Sequence, residues 1–383
     1  MKILHVISSL RTGGAEKLVV QLTSALKAMG HQVDVALFDG LETDLKRNLE
    51  ETGCKIFSFS KSKSMNSLKS IYYPWHIFKL ARIMKGYDIV HTHNTTPQLF
   101  AAIARIGRKS PVLVTTEHST FNRRRNMRIF RAIDRWMYRK YASVICISDI
   151  ARSKLTEYLG TGRNICVINN GVDINAFSRA EADPCLRKGS RPHVVVMVAA
   201  MRAEKDHPTL IRAIWQLGSQ YELWLAGDGV MRESLENLVR ELSVEDRVKF
   251  LGWRKDIPQI LKSADVVAMA SHYEGLSLSS IEGMAVSKPF VASDVDGLRE
   301  VVQGAGVLVS EADVAGFASA IEKLCTDPVW AAQVAQNCMK RAMQYDFQTM
   351  AASYNKVYEG LIKEKDNAPR AGGTPSADDA WIE

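Results

Sequence analysis

Short apolar runs alternate with amphipathic segments along the first half of the chain. The runs hold five to seven residues each, which is the length of buried strands. They fall at 2–8, 32–38, 55–59, 87–93, 111–117, 143–148 and 164–169. The segments between them repeat apolar residues at helical spacing, as Leu18, Leu22 and Leu26 do. Buried strands that alternate with helices predict a parallel sheet with right-handed crossovers.

The same pattern restarts in the second half. Apolar runs of six to eight residues fall at 193–200, 221–227, 247–252, 265–271, 289–294 and 305–310. Between the two series, residues 171–192 are rich in glycine, proline and charge, as expected of a linker. The chain is therefore predicted to be an α/β protein with two doubly wound, Rossmann-like domains, over 1–170 and 193–345.

Doubly wound sheets bind ligands at the carboxyl ends of their strands. With two such sheets, we expect the site in a cleft between the domains. The end of the chain has a different pattern. A helix is predicted over 346–365, with apolar Met350, Tyr354 and Tyr358 on one side, whereas 366–383 contains turn-forming residues without a period and is predicted to be a disordered tail.

Composition is typical of a folded protein outside the membrane. Hydrophobic residues make up 46% of the 383 residues and charged residues 24%. No apolar stretch approaches the roughly 20 residues that a membrane-spanning helix needs, and the amino terminus lacks the pattern of a secretory signal. Six cysteines are scattered without paired spacing, which favours reduced thiols in the cytoplasm.

The net charge of +8 is concentrated in two segments of the first half. Residues 119–140 hold eight basic residues and one acid, and residues 60–86 hold six basic residues, no acid and four aromatic residues other than histidine. Basic residues interleaved with aromatic ones favour an anionic partner, either lipid headgroups or nucleic acid. A solvated helix face is the alternative for each segment.

A glycine pair follows the first strand. Gly13 and Gly14 precede a helix, so a ligand can approach the backbone closely and meet free amides with partial positive charge. This arrangement suits a phosphate group. An ordinary tight turn explains the pair equally well.

Two carboxylates eight residues apart stand in otherwise neutral surroundings in SHYEGLSLSSIEGMAVSKP, 271–289. The pattern predicts Glu274 in a loop and Glu282 about one turn inside a helix over 278–286. The amides at this strand-to-helix turn can hold a diphosphate, and Glu282 can accept hydrogen bonds from the vicinal hydroxyls of a ribose. The alternative is that Glu274 caps the helix and Glu282 lies on the surface.

Two cations follow the first strand of the second series. Arg202 and Lys205 stand where a leaving diphosphate requires positive charge. The alternative is a surface salt bridge with Glu204 or Asp206.

At this point the sequence resembles the retaining glycosyltransferases of family 4, which have the two-domain GT-B fold. The resemblance rests on the spacing of Glu274 and Glu282 and on GGAE, IVHTHN, TTEHS, NNGVD, EKDHPTL, LAGDG and FLGWRKDI, which follow in that family's order over roughly 1–363. It implies that a nucleotide-activated sugar binds mainly to the second domain. It also implies that the helix over 346–363 crosses back to the first domain.

The resemblance assigns roles to residues of the second domain. Lys205 would bind the donor phosphates, Glu282 the ribose and Glu274 the transferred sugar. Diphosphate or sugar would meet the amides of Gly275, Leu276, Leu278 and Ser279. The base would lie near Gly252 to Arg254. The family commonly has arginine where this chain has Ala200, and Arg202 is the candidate to replace it.

Further roles fall in the first domain. Gly13 and Gly14 would close over the phosphates, and His118 would lie near the reacting sugar as a third catalytic residue beside Glu274 and Lys205. His91, His93 and Asn94 are interpreted as acceptor-side residues, with plain packing as the alternative for the two histidines. Zinc is conceivable at the two histidines of this group, but no third ligand is evident in the sequence, so neither a metal nor another cofactor is predicted.

The predicted function is therefore retaining, metal-independent transfer of a sugar from a nucleoside-diphosphate sugar to a lipid-linked or glycan acceptor. UDP-sugars are favoured, GDP-mannose is possible, and the expected process is surface polysaccharide or lipopolysaccharide assembly. The enzyme would be cytoplasmic and rest on the inner face of the membrane through 60–86 and 119–140, without a nucleic-acid partner.

Two alternatives remain. One is a nucleotide-sugar epimerase of the same fold. The other is a basic nucleic-acid-binding protein, which would leave Lys205, Glu274 and Glu282 without a role.

Overall fold

The computed structural model describes residues 1–11, 13–60, 71–107, 110–118 and 128–367. The first sheet has seven strands. They are β1 (Lys2–Ile7), β2 (Gln32–Leu37), β3 (Ile56–Ser58), β4 (Ile89–His93), β5 (Val112–Glu117), β6 (Ser143–Cys146) and β7 (Ile165–Val167). The helices of this part of the chain are α1 (Gly14–Ala28), α2 (Asp44–Glu51), α3 (Trp75–Ile83), α4 (Thr95–Ala104), α5 (Arg128–Tyr138) and α6 (Asp149–Leu159).

The second sheet has six strands. They are β8 (His193–Val198), β9 (Tyr221–Ala226), β10 (Val248–Gly252), β11 (Val266–Met269), β12 (Phe290–Ser293) and β13 (Val307–Val309). The helices from the linker onward are α7 (Ile174–Ser178), α8 (Pro184–Arg187), α9 (His207–Gln216), α10 (Arg232–Glu241), α11 (Ile257–Ser263), α12 (Leu278–Ala285), α13 (Leu298–Val302), α14 (Val314–Thr326), α15 (Pro328–Ala342) and α16 (Phe347–Asn367).

Both sheets are doubly wound. The strand orders are β3-β2-β1-β4-β5-β6-β7 and β10-β9-β8-β11-β12-β13, so each sheet begins near its middle and grows toward both edges. The central strands are almost wholly buried because helices cover both faces of a parallel sheet. The predicted fold class of two Rossmann-like α/β domains is confirmed.

The chain forms two compact units. The first consists of Met1–Thr116, Arg135–Val144 and Ala352–Glu383, and the second of Glu117–Asp134 and Ile145–Ala351. The domain boundary predicted near residue 170 differs from this division. It separates the two sheets, since the last strand of the first sheet, β7, ends at Val167.

Helix α16 returns the chain to the first unit, as the resemblance implied. The hydroxyl of Tyr358 lies 2.6 Å from Nδ1 of His91 on β4, and the hydroxyl of Tyr354 lies 3.2 Å from Oγ1 of Thr116 on β5. The helix continues to Asn367, so the first two residues of the predicted tail are helical. The first helix-breaking residue after this segment is Pro369, which explains the longer helix. The rest of the predicted tail lies outside the described residues.

Candidate functional site

Two loops of the second unit are tied together at the carboxyl ends of neighbouring strands. β8 pairs with β11, so the segment after Val198 and the segment after Met269 leave the sheet side by side. Ser271 Oγ donates a hydrogen bond to the carbonyl of Glu204 (2.7 Å), and the amide of His272 donates to the same carbonyl (2.9 Å). The loop that carries Lys205 is thereby held against the loop that carries Glu274.

Lys205 and Glu274 contact each other directly. Lys205 Nζ donates a hydrogen bond to Glu274 Oε1, and both side chains are mostly buried. The alternative of a surface salt bridge between Lys205 and Glu204 or Asp206 is therefore wrong. The cation that was predicted to bind the donor phosphates and the carboxylate that was predicted to bind the transferred sugar are therefore partners of each other in this structure.

The N-terminus of α12 presents backbone amides next to this pair. Ser277 is the N-cap residue, but its side chain makes no capping hydrogen bond and instead accepts one from Ser280 Oγ (2.8 Å). Within the described part of the chain, no acceptor is found for four amides that were predicted to bind phosphate or sugar. They belong to Gly275, Leu276, Leu278 and Ser279. Such amides, together with the helix dipole, favour an anion at this position.

The two glutamates take the positions that the pattern predicted. Glu274 lies in the loop before Ser277, so the alternative that Glu274 caps the helix is wrong. Glu282 lies one turn after Leu278 in α12 and is partly exposed. Both carboxylates therefore belong to the segment that surrounds the free amides.

Gly297 is a structural contributor that sequence reasoning missed. It adopts φ 82°, and a Cβ atom there would lie 1.9 Å from the carbonyl oxygen of Gly275. The amide of Glu274 donates to the carbonyl of Asp296 (3.3 Å), so this turn supports the Glu274 loop from β12. The glycine in the sequence VDGL, 295–298, is the signal from which this tight turn could have been predicted. Arg299 donates to Asp294 (2.6 Å) and Asp296 (3.4 Å), the two aspartates of this turn.

Three further residues that were predicted on the donor side differ in their contacts with the rest of the protein. The side chain of Arg202 is 66% exposed and forms a salt bridge with Glu204 at 4.0 Å, so the alternative of a surface salt bridge is confirmed for this residue. Gly252 ends β10 with φ 67°, a conformation that favours glycine. Arg254 donates two hydrogen bonds to Asp256, and this carboxylate raises the pKa of the guanidinium.

The glycine pair of the first unit opens α1. Gly13 is the N-cap residue with an extended backbone, and Gly14 is the first helical residue. A Cβ atom at Gly14 would have no heavy atom within 4 Å. Packing inside the protein therefore does not require a glycine at this position, which leaves room for a ligand to approach.

The acceptor-side histidines are fully buried. His91 bonds through Nδ1 to Tyr358 and through Nε2 to Oγ1 of Thr116 (2.8 Å), and Nε2 of His93 lies 3.0 Å from Nδ1 of His5. The expectation that no third imidazole lies nearby is wrong, because β1 pairs with β4 and sets His5 opposite His91. Burial lowers the pKa of His5 to about 3. Both nitrogens of His91 are engaged by hydroxyl groups, so this network connects α16 to the sheet.

Asn94 and His118 follow β4 and β5. Asn94 has φ 72°, which is uncommon outside glycine, and its side chain makes no capping bond to α4. His118 is partly exposed, and burial lowers its pKa to about 4, so its imidazole is neutral at pH 7.

The two basic segments are described only in part. Residues 61–70 and 119–127, which include Arg123 to Arg125, lie outside the described residues. At the start of α3, the side chains of Tyr72, Tyr73, Trp75 and Phe78 are 57–70% exposed and form what we call the aromatic surface. Arg82 and Lys85, just beyond it, are exposed too. None of the described helices is both long and apolar enough to cross a membrane.

The sequence matches two protein families, one in each half of the chain. Glycosyltransferase Family 4 matches residues 12–176, and Glycosyl transferases group 1 matches residues 192–327. Each match covers most of one sheet, and together they include the glycine pair, Lys205, Glu274 and Glu282.

Known proteins are similar over most of the chain. It is 30% identical to glycogen synthase of Mycobacterium tuberculosis, with 71% of this chain and 68% of that protein covered. It is 28% identical to the lipopolysaccharide core biosynthesis glycosyltransferase LpsD of Rhizobium meliloti, with 86% and 89% covered. The crystal structure of Anabaena HepE in complex with UDP matches with a TM-score of 0.79 and 25% identity, over 94% of this chain and 100% of that one.

Proposed function

The chain belongs to glycosyltransferase family 4, and on this premise we propose that it moves a sugar from a nucleoside-diphosphate sugar to a lipid-linked or glycan acceptor. UDP is the favoured carrier, with GDP-mannose as the second possibility, because the similar HepE structure contains UDP. Surface polysaccharide assembly is the proposed process, supported by the similarity to LpsD, a lipopolysaccharide core glycosyltransferase.

The observation that carries this proposal is the Lys205–Glu274 pair beside the free amides of α12. A pyrophosphate at this helix end would accept hydrogen bonds from the amides and take Lys205 as its counter-ion. The released Glu274 would then accept hydrogen bonds from the transferred sugar, and Glu282 from the ribose. In this arrangement the positive charge is placed where it stabilises the leaving diphosphate.

We propose that the sugar keeps its anomeric configuration. The bond between the anomeric carbon and the diphosphate oxygen breaks, the acceptor hydroxyl bonds to the same face of that carbon, and the departing phosphate accepts the hydroxyl proton. Neutral His118 would hydrogen-bond the reacting sugar, Gly13 and Gly14 would let the backbone approach the phosphates, and Arg202 would add charge there. Transfer would require no metal ion, since Lys205 and the amides compensate the diphosphate.

We also propose that the enzyme is cytoplasmic and rests on the inner face of an anionic membrane. The aromatic surface would enter the headgroup region, and the nearby Arg82 and Lys85 would attract anionic lipid. A lipid-linked acceptor would then be reached from the same surface.

A panel of nucleotide-sugars, with and without candidate acceptors, tests the proposal. We expect Lys205→Ala to weaken UDP binding about 10- to 100-fold, because hydrogen bonds to charged groups are lost.

Glu274→Ala should abolish transfer while the protein stays folded. Near-normal turnover of Glu274→Ala, or unchanged UDP affinity of Lys205→Ala, would contradict the site. An altered nucleotide-sugar without any acceptor would favour an epimerase instead.

A further inference from the structure

A histidine connects three loops at the carboxyl edge of the second sheet. His272 follows β11, and its Nδ1 atom lies 2.7 Å from Oε1 of Glu311, just after β13. Its Nε2 atom lies 3.9 Å from Oδ1 of Asp206, which precedes α9 in the loop after β8. The sheet order is β8-β11-β12-β13, so the imidazole joins the loops of strands on both sides of β11.

The position of His272 is fixed beside the residues of the proposed donor site. Its amide donates to the carbonyl of Glu204 (2.9 Å), so its backbone is bonded to the loop of Lys205. Glu274 follows His272 by two residues, and Asp206 follows Lys205 directly. A charge on His272 or Asp206 therefore acts on the Lys205–Glu274 pair at short range.

Asp206 is a buried acid next to this cation. The residue is 6% exposed, and its side chain makes no capping hydrogen bond to α9. Within the described part of the chain, its Oδ2 atom has no hydrogen-bond partner, and His272 is the one basic group within 4 Å of the carboxylate. The charge state of His272 therefore decides whether Asp206 has a close counter-ion.

Other charged groups of the neighbouring loops are engaged elsewhere. They are Asp294 and Asp296 with Arg299, Glu204 with Arg202, Lys205 with Glu274, and Asp313, which caps α14. Among the described residues, Asp206 and Glu311 are the carboxylates within 4 Å of the imidazole. A change in the charge of His272 therefore acts first on these two groups.

The hydrogen bond to Glu311 assigns the protons of the imidazole. An ionised carboxylate only accepts hydrogen bonds, so Nδ1 carries the hydrogen of the neutral ring and Nε2 has none. A second proton therefore binds to Nε2, the atom that faces Asp206. Histidine side chains ordinarily gain and lose this proton between about pH 5 and 8. His207 does not, because burial and the charge of Lys205 lower its pKa to about 4.

We propose that His272 is a positioning residue of the donor site, whose protonated imidazole neutralises Asp206 and so leaves the positive charge of Lys205 to the donor diphosphate. This inference rests on the proposed function. In the neutral ring, Nε2 presents a lone pair to Asp206, and the carboxylate next to Lys205 then repels the diphosphate. Donor affinity is therefore highest when His272 is protonated and falls as the pH rises.

Calorimetric titration from about pH 5.5 to 8 tests the inference, with UDP-glucose and GDP-mannose as probes. Both phosphates of a nucleoside-diphosphate sugar are esterified, so their charge is constant over this range, unlike that of free UDP. We expect the affinity of the wild type for the tighter-binding probe to fall about three- to fivefold as the pH rises, which is the effect typical of a partly exposed ion pair.

Two variants separate an electrostatic role from a structural one. His272→Gln should bind the probe at every pH as weakly as the wild type does at the highest pH, because glutamine can donate to Glu311 but carries no charge. Asp206→Asn should keep the acid-pH affinity of the wild type at every pH. In the double variant, the effect of His272→Gln should disappear, because the charge that His272 neutralises is no longer present.

His193→Gln is the matched control. His193 begins β8, at the opposite edge of the same sheet, so this variant should keep the pH profile of the wild type. The thermal midpoint of each variant shows whether it is folded at every pH used.

Two results would overturn the inference. One is a wild-type affinity that stays constant or increases as the pH rises. The other is an effect of His272→Gln that persists together with Asp206→Asn, since His272 would then only hold the loops together. A wild-type protein that binds neither probe at any pH contradicts the proposed function instead, and is thereby distinguished from both.

Discussion

At the scale of single residues, the proposed donor site contains an ion pair between Lys205 and Glu274. In the proposed function, a diphosphate would take the place of the Glu274 carboxylate beside Lys205, so part of its binding energy would separate the pair. The same exchange would free Glu274 for the transferred sugar, which would link the position of this carboxylate to binding of the diphosphate.

This exchange predicts that removing the carboxylate strengthens nucleotide binding. We expect Glu274→Gln to bind UDP about fivefold more tightly while transfer is lost, because the diphosphate no longer has to displace a carboxylate from Lys205, a difference of about 1 kcal/mol. Calorimetric titration with UDP measures the change. Glu204→Gln is the matched control, since Glu204 lies in the Lys205 loop but contacts Arg202 instead. Equal or weaker UDP binding by Glu274→Gln would show that the carboxylate does not compete.

At the scale of elements, the proposed donor site is built from three loops that leave the neighbouring strands β8, β11 and β12 of the second sheet. Ser271 ties the loop after β8 to the loop after β11, and Gly297 lets the turn after β12 approach the carbonyl of Gly275. Contacts with the loop after β8 and with the turn after β12 therefore hold the free amides at the start of α12 in position. A change in any of these contacts moves the anion site without touching a charged residue.

Gly297→Ala tests this support. The new methyl group would clash with the Gly275 carbonyl and displace the Glu274 loop, so we expect UDP affinity to fall about tenfold. An alanine in the left-handed conformation also lowers the stability of the fold by about 1–2 kcal/mol. Gly304→Ala separates the two effects, because Gly304 has φ 76° with no heavy atom near a Cβ position. Both variants should lose stability from backbone strain. If UDP affinity falls equally in both, the steric argument fails.

At the scale of the whole molecule, the exposed aromatic residues Trp75 and Phe78 of α3 are the feature that supports the proposed membrane contact. Trp75 and Phe78 lie together with ring centroids 5.2 Å apart, and both are mostly exposed. Aromatic rings with nearby arginine and lysine are the side chains that favour a membrane interface. The other side of α3 is packed against the protein through the buried residues His76 and Leu80, which hold the helix and its aromatic residues in place.

We therefore expect Trp75→Ser with Phe78→Ser to reduce cosedimentation with phosphatidylglycerol vesicles at least tenfold, since two large apolar groups no longer enter the interface. Binding by the wild type should also weaken as salt is raised. Trp215→Ser is the control, because Trp215 is half exposed on α9 of the second unit. Vesicle binding by the double variant at the wild-type level would exclude the aromatic surface as the contact.

The sequence pattern by itself determined both sheets and the local positions of most residues in the proposed donor site. All thirteen strands were predicted because buried parallel strands are short continuous apolar runs, and the helix after Leu278 was predicted to within one residue at its end. Glu274, Lys205 and the α12 amides could be found because strand ends and helix starts are local features, written in a few consecutive residues. The family motifs then assigned their roles.

Only the tertiary structure decided which distant residues meet. His5 joins His91 because β1 pairs with β4, and Gly297 meets Gly275 because two turns cross. Apolar periodicity reports which face of a segment is buried, but not which segment lies beside it. Strand order and the pairing of polar groups arise from packing between segments far apart in the chain, so no short stretch of sequence contains them.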